Sequence, residues 1–448
     1  MRRPTFVWLL GAGLMAGAVF ASDKPNGLPG ENPNPIHLIR RPVAPLSAMA
    51  KLGRDIFFDA SLSSSGKLSC ASCHSPDHAY GPPNDGPVML GGPDLTRPGV
   101  RAVPSLTYLE RQPDFSIGPE KEDEDENVNL ARQAEIGKTA VRAEKIATQT
   151  VQSANNIVPQ GGLFWDGRAD TLQSQAAGPL LDPREMDGGS IEKVAEKLGH
   201  APYTRRFAGL FGDNIFQNPS LLVSEAMFAV GRYQIEEPSF HPYTSKFDYW
   251  LEGKARFSDS EMRGLRLFND PDKANCAGCH SSQPSRDGWP PLFTDFQYEA
   301  LGAPRNAALA DNKEPQYFDL GVCGPIRTEF KDQTQFCGMF KTPTLRNTAR
   351  RRTFFHNGVF QTLQQVMDFY NFRDTNPERI YPRAADGTVQ KYNDIPVQYH
   401  ANVDVSDPPF NRHLGDAPAM TAQDEADIME FLKTLNDGYE PDKLASPN

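Results

Sequence analysis

Cysteine is scarce in this chain, with 6 residues in 448, far fewer than a disulfide-stabilised scaffold of this length would need. Basic residues are also outnumbered, because 46 Lys and Arg face 57 Asp and Glu and leave a net charge of -11. A nucleic-acid-binding surface needs clustered Lys and Arg, so general nucleic-acid binding is not expected. A content of 38% hydrophobic residues excludes disorder throughout and fits two or three folded domains.

Long apolar runs are absent beyond the amino terminus. Arg2 and Arg3 precede an apolar run over residues 6–20, and Val19 and Ala21 place small residues where a signal peptidase would cut, which is typical of a secretory signal peptide. An uncleaved membrane anchor is the alternative, but the run is shorter than the roughly 20 residues that a spanning helix needs. We therefore predict a signal peptide over 1–21, cleavage after Ala21, export to the periplasm and no membrane span in the mature form.

The alternating pattern of a half-buried strand is not found over any length, so the fold class is predicted to be mainly α, with long loops. Helices are predicted over 191–198 and 221–233. A further helix is predicted to begin at Thr421, where Thr421 and Asp424 resemble a capping box. Residues 81–104 are rich in Gly and Pro and are predicted to be loop.

A weak internal repeat indicates two related domains. Residues 52–57 resemble residues 263–268, and each copy leads shortly into a Cys-x-x-Cys-His motif. The spacing is far longer than that of solenoid repeats, so the repeat predicts domains rather than an array. We predict an extended amino-terminal arm over 22–45, an amino-terminal domain over 46–240 and a carboxy-terminal domain over 250–448.

The two Cys-x-x-Cys-His motifs contain four of the 6 cysteines. In such motifs the two thiols add to haem vinyl groups and the adjacent histidine binds the iron. Zinc is the alternative, but a structural zinc takes four protein ligands and each motif offers three. We predict two covalently attached c-type haems. Their attachment residues are Cys70, Cys73, Cys276 and Cys279, and their iron ligands are His74 and His280.

Four further blocks, over 163–169, 185–186, 342–347 and 355–358, follow in family order. With the two haem motifs, they make the chain resemble the bacterial di-haem cytochrome c peroxidase family, which includes the MauG branch. The resemblance implies two cytochrome c-like domains. It also implies a peroxide-reacting haem in the first domain, an electron-transferring haem in the second, and a tryptophan between them that matches Trp165.

The resemblance also assigns residues to the peroxide site. Glu185 matches the distal acid/base carboxylate, since peroxide cleavage needs a group that takes a proton from one oxygen and returns it to the other. Gln175 and Pro179 match residues that line this pocket, although they could equally belong to a helix start. Trp165 matches the relay between the haems, with plain core packing as the alternative.

Many family members block the first iron with a histidine from the loop after the first motif. Here His78 is too close to His74 to fold back easily, and residues 81–104 contain no histidine. We therefore predict an open, five-coordinate first haem that reacts without reductive activation.

The second haem has two candidates for its sixth ligand. Tyr370 occupies the matching position, as in the MauG branch, and Met367 lies one helical turn away on the same face. A tyrosine ligand would favour higher oxidation states of the iron, whereas a methionine would raise its potential. Tyr370 as a core aromatic is the third interpretation. His356 is expected near a haem propionate or in a purely structural role.

The family often holds calcium between its haems through an asparagine side chain and the carbonyls of a Thr-x-Pro segment. The matching positions here are Ala102 and residues 351–353, so the sequence gives calcium weak support. Cys323 and Cys337 are expected to form a disulfide, since the chain is exported. Free thiols are the alternative.

These expectations describe an exported di-haem enzyme that reduces hydrogen peroxide at the His74 haem and passes oxidising equivalents through Trp165 to the His280 haem. Electrons would return from a small redox protein, as in peroxidases, or from a protein side chain, as in the MauG branch. A non-enzymatic electron carrier is the third possibility, but it gives no role to Glu185. The acidic run over 120–126 is interpreted as a solvated insertion.

Overall fold

A computed structural model describes residues 29–119 and 157–441. The predicted signal peptide and the acidic run lie outside these ranges. Within them the chain is mainly helical and contains little sheet. The helices are α1 Ala48–Phe57, α2 Cys70–Cys73, α3 Leu172–Leu181, α4 Ile191–His200, α5 Thr204–Phe211, α6 Pro219–Glu236, α7 Lys246–Leu251, α8 Asp259–Phe268, α9 Cys276–Cys279, α10 Leu363–Phe372 and α11 Ala422–Lys433.

Short strands form three two-stranded antiparallel sheets in the described ranges. Their pairs are β1 Leu90–Gly91 with β2 Arg97–Pro98, β3 Ser116–Pro119 with β4 Ile157–Gln160, and β5 Tyr298–Glu299 with β6 Phe340–Lys341. The prediction that 81–104 is entirely loop was wrong at β1 and β2. Strands of two residues are too short to show an alternating pattern.

The predicted helices are present, and their ends follow capping side chains. Helix α6 begins earlier than predicted because Asn218 accepts a hydrogen bond from Leu221 N. Helix α4 continues through Gly199 to His200 instead of ending at residue 198. The capping box at Thr421 is confirmed: its backbone N donates to Asp424 Oδ2 at 2.9 Å, and Asp424 N donates to Thr421 Oγ1 at 3.2 Å.

The internal repeat corresponds to two similar helix crossings. Helix α1 packs on α6, and α8 packs on α11. A Cβ at Gly53 would lie 1.8 Å from Ala229 O, and one at Gly264 would lie 2.0 Å from Asp427 O. Glycine is required at each crossing because any side chain would collide with the partner backbone. The repeated glycine therefore reflects the same close contact in both halves.

The two largest hydrophobic cores draw on different parts of the chain. One extends from Leu52 to Phe240, and the other takes most of its residues from Phe247 to Leu435. Along the chain, the residues pass from the first core to the second at the predicted domain boundary. The division into two domains itself stays a prediction. Leu38 of the predicted arm is buried in the second core, and Ile36 N donates to Leu251 O at 2.9 Å.

Cys323 and Cys337 form the predicted disulfide, which joins positions 14 residues apart. Gly338, which directly follows the second cysteine of this bridge, lines the cavity described below. No helix in the described part of the chain is both long and apolar enough to cross a bilayer.

Candidate haem sites

Each Cys-x-x-Cys segment folds as a single helical turn, α2 in the first motif and α9 in the second. The following histidine closes the turn: His74 N donates to Cys70 O at 2.9 Å, and His280 N donates to Cys276 O at 2.8 Å. One turn brings both cysteines and the histidine to the same side of the backbone, as attachment to one haem requires. The two motifs are therefore built alike.

The two imidazoles are also oriented alike. His74 Nδ1 lies 3.0 Å from Tyr80 O, and His280 Nδ1 lies 2.9 Å from Phe293 O. A carbonyl can only accept, so each Nδ1 carries the proton and each Nε2 keeps a lone pair for iron. Burial lowers the pKa of both imidazoles to about 4, so both rings are neutral, which is the form that binds iron.

A cavity of about 640 Å³ lies beside the second motif. Cys276, Cys279 and His280 line it, which fits the haem that this motif would hold. Much of the remaining wall is apolar and includes Phe268, Leu345, Leu363, Val366, Ile428 and Leu432. Apolar walls suit a porphyrin and limit access of water to the iron.

Both candidate sixth ligands line this cavity. Tyr370 stacks on Phe410 with ring centres 5.2 Å apart. Burial, with smaller contributions from the Cys279 and Cys276 thiols, raises the pKa of the Tyr370 phenol. Met367 is buried in the second core and also faces the cavity. The fold thus brings His280 and both alternatives to the same cavity.

Trp165 lies at another part of the same cavity and is half-buried. Its indole Nε1 donates to Ala102 O at 2.8 Å. Gly167 has a φ of +70°, and a Cβ there would lie 2.1 Å from Tyr298 Oη. Only glycine can occupy that position. The tight turn and the indole hydrogen bond together fix the ring beside the cavity.

Glu185 lies in the turn after α3, where its backbone N donates to Asp182 O at 3.0 Å. Burial, with smaller contributions that include the Glu185 charge, raises the pKa of the Cys70 and Cys73 thiols to about 12. The charge of the carboxyl group therefore acts on both attachment cysteines, and the next residue, Met186, belongs to the core against which Cys70 packs. The fold brings Glu185 to the first haem motif, although they are more than a hundred residues apart in sequence.

The Glu185 carboxyl is tuned by its surroundings. Burial raises its pKa to about 7; the Asp182 carboxylate adds to this effect and Arg168 opposes it. Burial disfavours the charged form of a carboxyl group, and a nearby like charge acts in the same direction. A group with a pKa near neutrality can both accept and return a proton.

Gln175 lies in the first turn of α3, which Thr171 caps, whereas Pro179 lies near the end of this helix. Gln175 is buried and lines the cavity near Trp165. Pro179 O accepts a hydrogen bond from Met186 N at 3.1 Å. Helix α3 therefore connects the Trp165 region to the turn that carries the carboxyl group.

His356 is buried and stacks on Phe340, with ring centres 3.5 Å apart. Its Nε2 lies 3.7 Å from Asp394 Oδ2, and the ring lines the cavity. A haem propionate and the adjacent carboxylate are both possible partners of this imidazole. Arg346, by contrast, is held by Asp248 through two hydrogen bonds of 2.8 and 2.9 Å.

The segment considered for calcium holds an arginine. Arg351 Nη2 donates to Val103 O at 2.9 Å, and its Nε donates to Thr353 O at 3.3 Å. Ala102 N donates to His356 O at 2.8 Å, so the position that could carry an asparagine contributes only its backbone. An arginine cation therefore already lies against carbonyl oxygens of this segment.

Sequence reasoning missed two cations beside the cavity, Lys341 and Arg351. Burial lowers the pKa of Lys341 to about 7, and its Nζ donates to Gly162 O at 2.6 Å. Basic side chains beside a haem cavity suit the two propionates that a haem carries. Lys341 directly precedes the 342–347 block, and Arg351 is the first residue of the 351–353 segment. These positions in the sequence were the signal by which both residues could have been found.

Two Cys-x-x-Cys-His turns with neutral, oriented histidines define a c-type di-haem protein. The family described as di-haem cytochrome c peroxidase matches residues 47–256. The chain is 32% identical to the methylamine utilization protein MauG of Paracoccus denitrificans, over 74% of this chain and 76% of that protein. It is 29% identical to cytochrome c551 peroxidase of Nitrosomonas europaea, over 79% and 81% of the two chains.

A solved structure gives the same result. The di-haem peroxidase BthA of Burkholderia thailandensis is 34% identical, with a TM-score of 0.74 over 92% of this chain and 94% of that one. The chain belongs to the di-haem cytochrome c peroxidase family, in its MauG-like part. It is a peroxidase-type oxidoreductase that carries two covalently bound haems.

Proposed function

We propose that the protein reduces hydrogen peroxide at the haem of the first motif, with Glu185 as the proton-transfer group. A haem with an open iron position binds peroxide and supplies electrons for cleavage of the oxygen–oxygen bond. The observation that carries the proposal is the half-buried Glu185 carboxyl, whose pKa is raised to about 7 and whose charge acts on the Cys70 and Cys73 thiols. An electron carrier with two closed irons would have no use for such a group.

The protein's own work in this step is proton transfer. The ionised Glu185 carboxylate takes a proton from the near oxygen of peroxide and returns it to the departing oxygen as water forms. Arg168 opposes the rise in its pKa and keeps the ionised form accessible near neutrality. Gln175 and Pro179 are proposed to line the same pocket.

We propose that the first haem is open in the resting protein. His78, the histidine closest to this motif in sequence, is exposed, and its Nδ1 lies 3.1 Å from Ser75 Oγ. This local hydrogen bond holds the ring in the turn that follows the motif. Reaction with peroxide would then need no prior reduction.

We further propose that Trp165 carries oxidising equivalents between the two haems. The indole lines the cavity of the second motif, and its turn is fixed by Ala102 and Gly167. An aromatic ring in that position can pass an electron hole without moving. Trp165→Phe should keep both haems bound and slow the transfer, which stopped-flow absorption at the two haems would measure; transfer at the normal rate would refute the relay.

Tyr370 is proposed as the sixth ligand of the second iron, with Met367 as the rival. A tyrosine oxygen favours the higher oxidation states of iron, so the second haem would store an oxidising equivalent. We propose export to the periplasm, with cleavage after Ala21. The electron donor would be a redox protein or an oxidisable protein side chain.

The test is stoichiometric hydrogen peroxide added to the resting, fully loaded protein while the haem spectra are followed. A long-lived state in which both irons are oxidised supports the proposal. Rapid return of the haem spectra to their resting form, when a reduced small cytochrome c is added, favours ordinary peroxide disposal with a redox-protein donor. Absence of any spectral response would overturn the proposal in favour of an electron carrier.

A further inference from the structure

Two buried tyrosines lie together beside the haem cavity. The rings of Tyr108 and Tyr243 are 4.8 Å apart and are 3% and 2% exposed. Tyr108 lines the cavity of the second motif. The Tyr243 ring in turn lies 6.4 Å from Trp289, which is half-buried beside the exposed Asp287. These rings form a continuous aromatic path from the cavity towards the surface.

Each of the two phenols donates to a carboxylate. Tyr108 Oη donates to Asp437 Oδ2, and Tyr243 Oη donates to Glu110 Oε1 at 3.2 Å. Tyrosine loses its phenolic proton when it is oxidised, so a fixed carboxylate beside the hydroxyl makes oxidation easier.

The Glu110 side chain has spare capacity for a proton. Its Oε2 is buried without a hydrogen-bond partner in the described structure and lies 3.9 Å from His241 Nδ1. That nitrogen also has no partner there. Buried polar atoms are normally satisfied, so this unpartnered pair next to a phenol needs an explanation.

The guanidinium groups of Arg346 and Arg111 both act on the Tyr243 phenol, and the Glu110 carboxylate acts against them. The Arg346 guanidinium lies 4.9 Å from both ring centres, and a lone cation there would oppose a positive hole. Asp248 holds this guanidinium through two hydrogen bonds and compensates its charge. A neutral tyrosyl radical, whose proton has moved to a carboxylate, adds no net charge to the pair.

We propose that the Tyr108–Tyr243 pair is a redox-active site that conducts oxidising equivalents from the haem cavity towards Trp289. This inference rests on the proposed reaction with peroxide. Hydrogen peroxide takes two electrons from the haem pair and, with two protons, leaves as two waters. Tyr243 then returns one electron to the oxidised haem pair through Tyr108, and its phenolic proton moves to Glu110 Oε1.

The test uses the fully loaded protein and one equivalent of hydrogen peroxide, with no added donor. Rapid-freeze EPR should detect a tyrosyl radical, identified by the altered hyperfine pattern of protein made with ring-deuterated tyrosine. Tyr243→Phe keeps the ring but removes the proton that must be lost. We expect it to slow the decay of the oxidised haem state about tenfold, which corresponds to about 1.4 kcal/mol of barrier.

Two further variants separate redox chemistry from packing. Glu110→Gln keeps the shape but makes a poorer proton acceptor, so it should also weaken the radical signal. Tyr392→Phe is the matched control: Tyr392 is buried and its phenol donates to Asp374 at 3.1 Å, but it is not among the residues that line the cavity. It should leave the signal and the decay unchanged.

The outcomes distinguish this inference from the proposed function. If the wild-type haem spectra do not respond to peroxide, the proposed function fails. If they respond in every variant, but Tyr243→Phe keeps the wild-type radical signal and decay rate, the tyrosine path is refuted and the peroxide reaction stands. The inference predicts a slower decay of the oxidised haem state in Tyr243→Phe and a weaker tyrosyl radical signal in Glu110→Gln. It predicts the wild-type radical signal and decay rate in Tyr392→Phe.

Discussion

The pH dependence of the peroxide reaction follows from the position of Glu185. Its side chain is half-buried, and the loss of solvation raises its pKa from the ordinary value of 4.5 to about 7. Only the ionised form can accept the peroxide proton, so the bimolecular rate should rise with pH and level off above neutrality. Between about pH 7 and pH 5 the rate should fall about fifty-fold, whereas an unshifted carboxyl would lose only about a quarter of its ionised form at pH 5.

Glu185→Gln should remove this dependence and most of the rate. The amide fills the same space but cannot take the proton, and a general acid–base group contributes about 10²- to 10⁴-fold, equivalent to about 3–5 kcal/mol of barrier. Stopped-flow absorption of the first haem, at constant ionic strength over a range of pH, measures the rate directly. Equal haem content and an unchanged resting spectrum are the required controls.

Asp182→Asn provides the sharper test of the electrostatics. Asp182 Oδ1 accepts a hydrogen bond from Arg184 N at 2.7 Å, and an asparagine oxygen can do the same. The substitution removes the neighbouring negative charge, so the pKa of Glu185 should fall and the midpoint of the profile should move to lower pH. A midpoint that stays in place, or a Glu185→Gln variant with the normal rate and profile, would refute the reasoning.

Three other substitutions test the surrounding structure. A Cβ at Gly91 would lie 2.3 to 2.4 Å from the backbone oxygens of Arg184 and Glu185. Gly91→Ala should therefore lower the free energy of unfolding by about 1–3 kcal/mol and slow the peroxide reaction. Gly199→Ala is the control for both measurements, because a Cβ there meets nothing within 4 Å. Tyr370→Phe should shift the absorption spectrum of the second haem only, and an unshifted spectrum would exclude this ligand. Replacing Cys323 and Cys337 by serine, which removes a bridge between positions 14 residues apart, should lower the free energy of unfolding by about 3 kcal/mol, and an unchanged denaturant midpoint would contradict that expectation.

Features with local causes were predicted well from the sequence. The haem motifs, the capping box at Thr421 and the disulfide depend on residues that are close along the chain or few in number. The repeated glycines at positions 53 and 264 were visible as a pattern, but their cause, a helix crossing in each half, was not. The docking of the amino-terminal arm on the second core had no sequence signal.

In the candidate site, too, the sequence indicated which residues matter, whereas the tertiary structure was needed to explain why. Glu185 and Trp165 were selected by resemblance, and the fold supplied the physical reason for each: burial for the carboxyl, a glycine-dependent turn for the indole. The Tyr108–Tyr243 contact joins residues 135 apart, and single tyrosines in a sequence are most often core residues. Pairings over such distances depend on tertiary packing, which periodicity and spacing do not reveal.

The most direct test of the account is the reaction of the fully oxidised resting protein with hydrogen peroxide in the absence of any reductant. We predict an EPR spectrum with one high-spin haem, assigned to the first motif, and an immediate spectral change when one equivalent of peroxide is mixed in. Two low-spin haems that respond to peroxide only after partial reduction would contradict the claim that the first iron is open.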